Sequence, residues 1–336
     1  MRKKQNIEGV EAVSRRKFMR MTAASAATLM AGTHFAQTPT NQLKLPEKVL
    51  IFGHVPQQYL KKWEITSDFE VVVRKLGIQL EVVPKEKLIE RHNGLSNPER
   101  VKAAALAKQL IREARQGERP RPNDAEMEES ARFFLAMCAM ITERRACAAT
   151  IACGDFRTKE LRVPCAALTL LQDHGIPAGC QVDIDAVLTM VLFKRVTGWV
   201  SFMGGAWGKD DQLRVSHCVL SRKMNGPGAS QTYYLAGYHQ NKSGPTIHTD
   251  LPVAQPVTVA RLTRNLERLL IAQGEVIESR DEPNHCRNML ILRVSDLQKL
   301  MGVVRGGQYH LVVACGHHLP KMHDLAEKAG IEVFVV

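Results

Sequence analysis

Lys48-Val49-Leu50-Ile51-Phe52-Gly53 is a short apolar run closed by glycine, and with the segment directly after it decides the fold. Thr66-Ser67-Asp68 is a capping stretch, after which Phe69, Val72, Val73 and Leu76 repeat at helical spacing. Gly77 stands where a helix C-terminus favours glycine. Ile78 to Val83 then alternates apolar and polar residues. Strand, helix, strand is the rhythm of an α/β layer with parallel pairing.

The same rhythm continues downstream. Asn97 to Gln116 and Asp124 to Glu143 are predicted as two long helices, separated by the Pro-rich, charged linker Gly117 to Asn123. Ala148 to Cys153 reads as a buried strand, Val163 to His174 as a helix ended by Gly175, and Ile176 to Cys180 as a second short strand. Ile184 to Val196 is an apolar helix ended by Thr197-Gly198.

Near residue 198 the style changes. Residues 199–258 carry Gly, Pro and short alternating segments, such as Leu213 to Val219 and Tyr233 to Gly237, and Val257 to Ile271 alternates again. Strands are predicted over Asn288 to Val294, Tyr309 to Cys315 and Ile331 to Val336, with helices over Ser295 to Met301 and His323 to Ala329. The expected fold class is α/β: a parallel-sheet α/β domain over 47–197, then a mainly antiparallel, β-barrel-like C-terminal domain over 198–336.

Upstream, Ser14-Arg15-Arg16-Lys17-Phe18-Met19-Arg20 pairs two arginines with a following apolar residue and a basic one. A mild apolar stretch runs from Met21 to Gly32. It falls short of the roughly 20 residues needed to span a bilayer but has the length of a signal h-region. Residues 1–36 therefore read as a twin-arginine signal peptide, with 37–46 as a polar linker. This predicts export of the folded chain by the twin-arginine translocase to the periplasm or beyond.

The chain carries 46 Lys and Arg against 34 Asp and Glu, a net charge of +12. Residues 1–36 hold seven basic and two acidic residues, so about +7 remains for the rest. No long Lys/Arg block occurs there and aromatic residues are scarce, which argues against a nucleic-acid partner. The eight cysteines sit mostly in apolar runs such as Ala146-Cys147-Ala148, and no CxxC pair occurs. They are expected to be small buried hydrophobes, not a disulfide framework or a zinc ribbon.

Cys180-Gln181-Val182-Asp183-Ile184-Asp185 follows a strand and opens a helix, the place where ligands collect in open α/β sheets. Asp183 reads equally as an N-cap and Asp185 as a first-turn acid. His217, His310 and the pair His317-His318 flank predicted strands, and imidazole with carboxylate suits a first-row divalent metal. Gly204-Gly205-Ala206-Trp207-Gly208 opens no clear helix, so a phosphate-binding role is weak.

Several stretches together resemble the superfamily of L-fucose and L-arabinose isomerases, in particular its fucose-isomerase-like members. They are Pro164-Cys165-Ala166-Ala167 through Gly175 to Ala186; Val215-Ser216-His217-Cys218; Pro256 to Leu262; Cys286-Arg287; and Gly307-Gln308-Tyr309-His310 leading to Gly316-His317. The resemblance runs from about residue 45 to the end. It implies an α/β domain followed by a barrel-like one, a homo-oligomer, and metal-dependent aldose–ketose isomerisation of a sugar through an ene-diol. A divalent ion, usually manganese, would grip two neighbouring sugar oxygens while acidic side chains move the proton. By position Asp183 matches the acidic metal ligand and a catalytic group, His310 the histidine ligand, and Asp155 a second catalytic acid. Gln181 and His217 would face the sugar.

Two departures bear on catalysis. Residue 181 is Gln where the family turn reads Cys-Glu, and an amide cannot act as a base. Relatives also carry a further N-terminal α/β domain, whereas here the signal leads almost directly into what looks like their second domain. The alternative expectation is a non-catalytic carbohydrate-binding or assembly protein that keeps the fold.

Overall fold

Four short strands, β1 (Glu47–Phe52), β2 (Ile78–Val83), β3 (Ala148–Ile151) and β4 (Ala178–Cys180), lie in the order β2-β1-β3-β4, every pair parallel. The computed structural model describes residues 47–55, 66–116, 121–156, 164–237, 244–281, 286, 288–304 and 310–336. The signal and linker expected over 1–46 lie outside them. Six helices cover the sheet: α1 (Phe69–Leu76), α2 (Lys85–Asn93), α3 (Asn97–Glu113), α4 (Asp124–Glu143), α5 (Cys165–Asp173) and α6 (Ile184–Thr197).

Parallel strands covered on both faces read as continuous apolar runs, because neither face meets water. β3 and β4 are buried at every residue. Leu50, Phe52, Ala149 and Ile151 pack with Phe133, Met137 and Leu168 on one face; Val49, Ile51 and Ala148 pack with Val72 and Val187 on the other. α1 begins as the capping stretch implied: the Asp68 side chain accepts the Glu70 N–H. α2 has no counterpart among the expected elements. Its sequence, KEKLIERHN, buries only Leu88 and His92, too little for an apolar period to register.

The second half closes on itself. β5 (Phe202–Lys209), β6 (Gln212–His217), β9 (Pro256–Leu262), β10 (Arg268–Asp281), β11 (Asn288–Val294) and β12 (His310–Cys315) pair antiparallel in the ring β11-β6-β5-β12-β9-β10, and β10 returns to β11. This is a six-stranded closed barrel, which leaves no edge among its members. Its interior is packed with side chains, among them Phe202, Leu213, Val215, Val257, Val259, Leu290 and Leu311. β7 (Tyr233–Gly237) and β8 (Pro245–Thr249) form a separate two-stranded sheet, and β13 (Glu332–Val335) adds in parallel to β10. Helices α7 (Leu297–Val304) and α8 (Leu319–Lys328) complete the chain.

Some boundaries differ from expectation for physical reasons. The alternating stretch 257–271 breaks at a turn where Asn265 takes φ 58°, and β10 then continues through Gly274 to Asp281. α8 starts before His323, because Pro320 sits in its first turn, where the missing N–H costs nothing. Gly204 lies in β5, not in a phosphate loop. A Cβ there would stand 2.8 Å from Val215 Cγ1 and 2.9 Å from the Ser216 carbonyl, so the glycine serves close strand approach.

α6 is wedged between sheet and barrel, and every residue from Ile184 to Phe193 is buried. Its partners include Ile51 and Ala148 from the sheet, and Ala260, Leu262, Val312 and Ala314 from the barrel. A helix apolar all round belongs in such a place. Each fully buried Leu, Ile or Val contributes about 1.5–3 kcal/mol, so α6 makes Pro46–Val336 one compact unit. The cysteines are thiols. Burial pushes those of Cys138, Cys147 and Cys315 up to about 12, as small hydrophobes.

Candidate functional site

β4 ends at Cys180, and the chain turns sharply through Gln181 (φ 59°) and Val182 (φ 55°), two left-handed residues without glycine. Such positions cost of order 1–3 kcal/mol each and persist only where packing imposes them. The turn delivers Asp183 to the N-cap of α6, where its Oδ1 accepts the Ala186 N–H at 2.9 Å. The N-cap reading of Asp183 therefore holds, and the carboxylate does more besides.

From β9, Arg261 reaches Asp183 with two bonds, Nη1 to Oδ2 at 2.9 Å and Nη2 to Oδ1 at 3.2 Å. From the start of β12, the His310 Nδ1 lies 2.7 Å from Asp183 Oδ2, and Arg261 Nη1 also donates to the His310 carbonyl at 2.7 Å. All three side chains are buried. Burial alone would raise the Asp183 carboxyl. The charge of Arg261 and the bond from His310 outweigh it and hold the carboxyl at about 2.

A carboxylate only accepts, so His310 Nδ1 carries a proton towards Asp183. His217 Nδ1 accepts the Cys218 N–H at 2.9 Å, so its proton sits on Nε2. Their rings are 5.3 Å apart. Asp185 lies in the first turn of the same helix, with Oδ1 accepting the Ser67 N–H at 3.0 Å and Oδ2 buried without a hydrogen bond. Burial pushes this carboxyl up to about 7, against the pull of Arg261. Ser67 in turn accepts the Asn265 N–H at 2.7 Å, so Asp185 ties the entry of α1 to a turn of the barrel.

Asp183 and His310 thus meet as expected, but as a hydrogen-bonded pair. Each Asp183 oxygen already receives two donors, and a carboxylate has about four lone-pair sites. The adjacent guanidinium supplies the positive charge that a cation would bring. This arrangement does not fit a divalent ion at Asp183. Among the described residues no group of three or more His, Cys, Asp and Glu side chains is placed to hold one.

Asp155 stands apart from this cluster. It follows β3, the neighbour of β4, and its Oδ2 lies 2.5 Å from His54 Nδ1 and accepts the His54 backbone N–H at 3.1 Å. Gln181 is half-buried in the turn above β4. His318 closes a turn onto the Cys315 carbonyl at 2.7 Å, and His317 is exposed beside it. Sequence reasoning overlooked two participants, Arg261 and His54. A charge inside Val257-Thr258-Val259-Ala260-Arg261-Leu262 was the available sign, since a buried arginine in an apolar strand requires a counter-charge.

A sulfoquinovose isomerase of Clostridium sp. (strain MSTE9) is 23% identical to this chain over 305 residues, covering 86% of this chain and 64% of that protein. The chain therefore spans less than two thirds of the length of this relative. No family model matches the sequence.

Proposed function

We propose that the chain binds a sugar in the crevice outside the carboxyl ends of β1, β3 and β4 and interconverts its aldose and ketose forms. The similarity to the sulfoquinovose isomerase carries this reading, because at 86% of the chain it includes both the sheet and the barrel. The local chemistry is compatible. Ketol isomerisation moves a proton between adjacent carbons and needs groups that give and take protons near neutrality. Asp185, at about 7, has that property, and Arg261 brings a fixed positive charge to the same centre. Gln181, half-buried in the turn above β4, offers a donor and an acceptor for sugar hydroxyls, and His217 belongs to the same proposed sugar site. Export by the twin-arginine route and assembly into a homo-oligomer belong to the same proposal, on the strength of Arg15-Arg16 and of the family resemblance.

A second reading has its own support. The saturated Asp183 and the amide at Gln181 favour a carbohydrate-binding protein that keeps the fold without turnover. Incubation with a panel of aldoses, including 6-deoxy and 6-sulfonated ones, in D2O separates the two. Proton NMR that records ketose, with deuterium at C1 of the ketose or at C2 of the recovered aldose, supports the isomerase. Sugar-dependent chemical-shift changes in the protein, without conversion of any sugar, support the binding protein.

A further inference from the structure

We propose that His54 and Asp155 form a proton-transfer dyad at this crevice, with His54 Nε2 as the base that takes the proton from the sugar carbon. The proposal rests on the isomerase reading above. The dyad is built from the ends of two paired strands, β1 and β3, in register at Phe52 and Ile151. The Gly53 N–H donates to the Val83 carbonyl at 2.9 Å, and the Ala152 N–H to the Phe52 carbonyl at 2.8 Å, which extends the sheet to the two residues. Asp155 Oδ2 then meets both the backbone N–H and the ring Nδ1 of His54.

That double contact fixes the imidazole. The carboxylate accepts, so Nδ1 holds a proton, and in the neutral form of the ring the lone pair is then on Nε2. The exposures suit the roles: the His54 side chain is 66% exposed and that of Asp155 only 14%. Gly53 makes the approach possible. At φ +99° its Cβ would stand 2.8 Å from Asp155 Oδ2 and 2.8 Å from Ala152 Cβ, so a side chain there would displace the carboxylate. Other histidines lie beside carboxylates, at His92–Glu129, His248–Asp250, His323–Glu327 and His310–Asp183; of these carboxylates Asp183 also follows a strand of the parallel sheet, but that pair is buried. His217 and His310 are buried, whereas His54 offers its ring to solvent.

The reaction balances without a co-reactant beyond water. In the open-chain aldose, Nε2 takes the C2 proton, the C2–H electrons form the C1–C2 double bond, and the carbonyl π pair moves to O1, which is protonated from solvent. The ene-diol then loses the O2 proton to solvent, C2–O2 becomes the carbonyl, and the imidazolium returns its proton to C1. The histidine ends as it began, and Asp155 stabilises the imidazolium between the two steps.

The test compares the full chain with His54→Gln and Asp155→Asn. Long-range proton–nitrogen NMR of the wild type should show Nδ1–H at His54, and Asp155→Asn should abolish that preference. With a sugar that the wild type converts, His54→Gln should retain binding by NMR titration and lose at least about 100-fold in C2 deuterium exchange. Asp155→Asn should lose about 10-fold through kcat with KM held. If His54→Gln exchanges at the wild-type rate, the dyad assignment fails and the isomerase reading survives. If the wild type converts no sugar at all, both fall.

Discussion

Asp183 and Arg261 form a two-bonded ion pair with both side chains shut off from solvent, joining the N-cap of α6 to the barrel strand β9. Removing one member of such a pair strands the other charge in a low dielectric and costs about 3–5 kcal/mol. Arg261→Met should therefore lower unfolding stability by that amount. The double variant Asp183→Asn, Arg261→Met should lose clearly less than the sum of the single losses. Denaturant melts of the four proteins measure the coupling; simple additivity would show that the pair is not a unit.

Asp185 predicts an unusual pH dependence. Its carboxyl titrates at about 7 in the fold, against an ordinary value of 3.8. Between those values the folded chain holds a proton that the unfolded chain has lost, so stability falls as pH rises from about 4 to 7. The full difference is roughly 4 kcal/mol. Asp185→Asn should flatten this slope and be the more stable protein at pH 8. Thermal melts from pH 4 to 8 decide it. Asp183 works in the opposite direction: held at about 2, its contribution is complete above about pH 4 and lost as pH falls towards 2.

Metal analysis should find no stoichiometric manganese in protein purified without chelator, since both Asp183 oxygens are committed to Arg261, His310 and Ala186. An ion at 100 times its dissociation constant would stabilise the fold by about 2.7 kcal/mol. Chelator should accordingly leave the melting curve where it was. Stoichiometric metal that disappears in both Asp183→Ala and His310→Ala would mean that Arg261 withdraws and the three side chains rearrange around an ion.

Gly53→Ala should act on the dyad and on the fold together. A left-handed alanine costs of order 1–2 kcal/mol, and its Cβ would meet Asp155 Oδ2 at 2.8 Å. The variant should be less stable by about that amount and should lose the Nδ1–H preference of His54, read by the same nitrogen NMR. Loss of stability with the tautomer intact would show that the carboxylate can shift without releasing the ring.

The sequence alone determined the features that depend on near neighbours. Apolar runs at Val49–Phe52 and Ala148–Ile151, the capping stretch at Asp68, and the change of style near residue 198 are local, and each became the expected strand, helix or barrel segment. Asp183 at a helix start was local too, and so was its N-cap bond to Ala186. Tertiary structure decided which groups the carboxylate faces. Arg261 is 78 residues away and His310 is 127 residues away, and only the closed barrel packed on α6 brings β9 and β12 to that helix end. The same holds for His54 and Asp155, 101 residues apart, which meet because β1 pairs with β3 and Gly53 leaves room. Periodicity reports which face of an element is apolar. Which charges share a buried site is set by strand order and layer packing, and the sequence carries that information only through the whole fold.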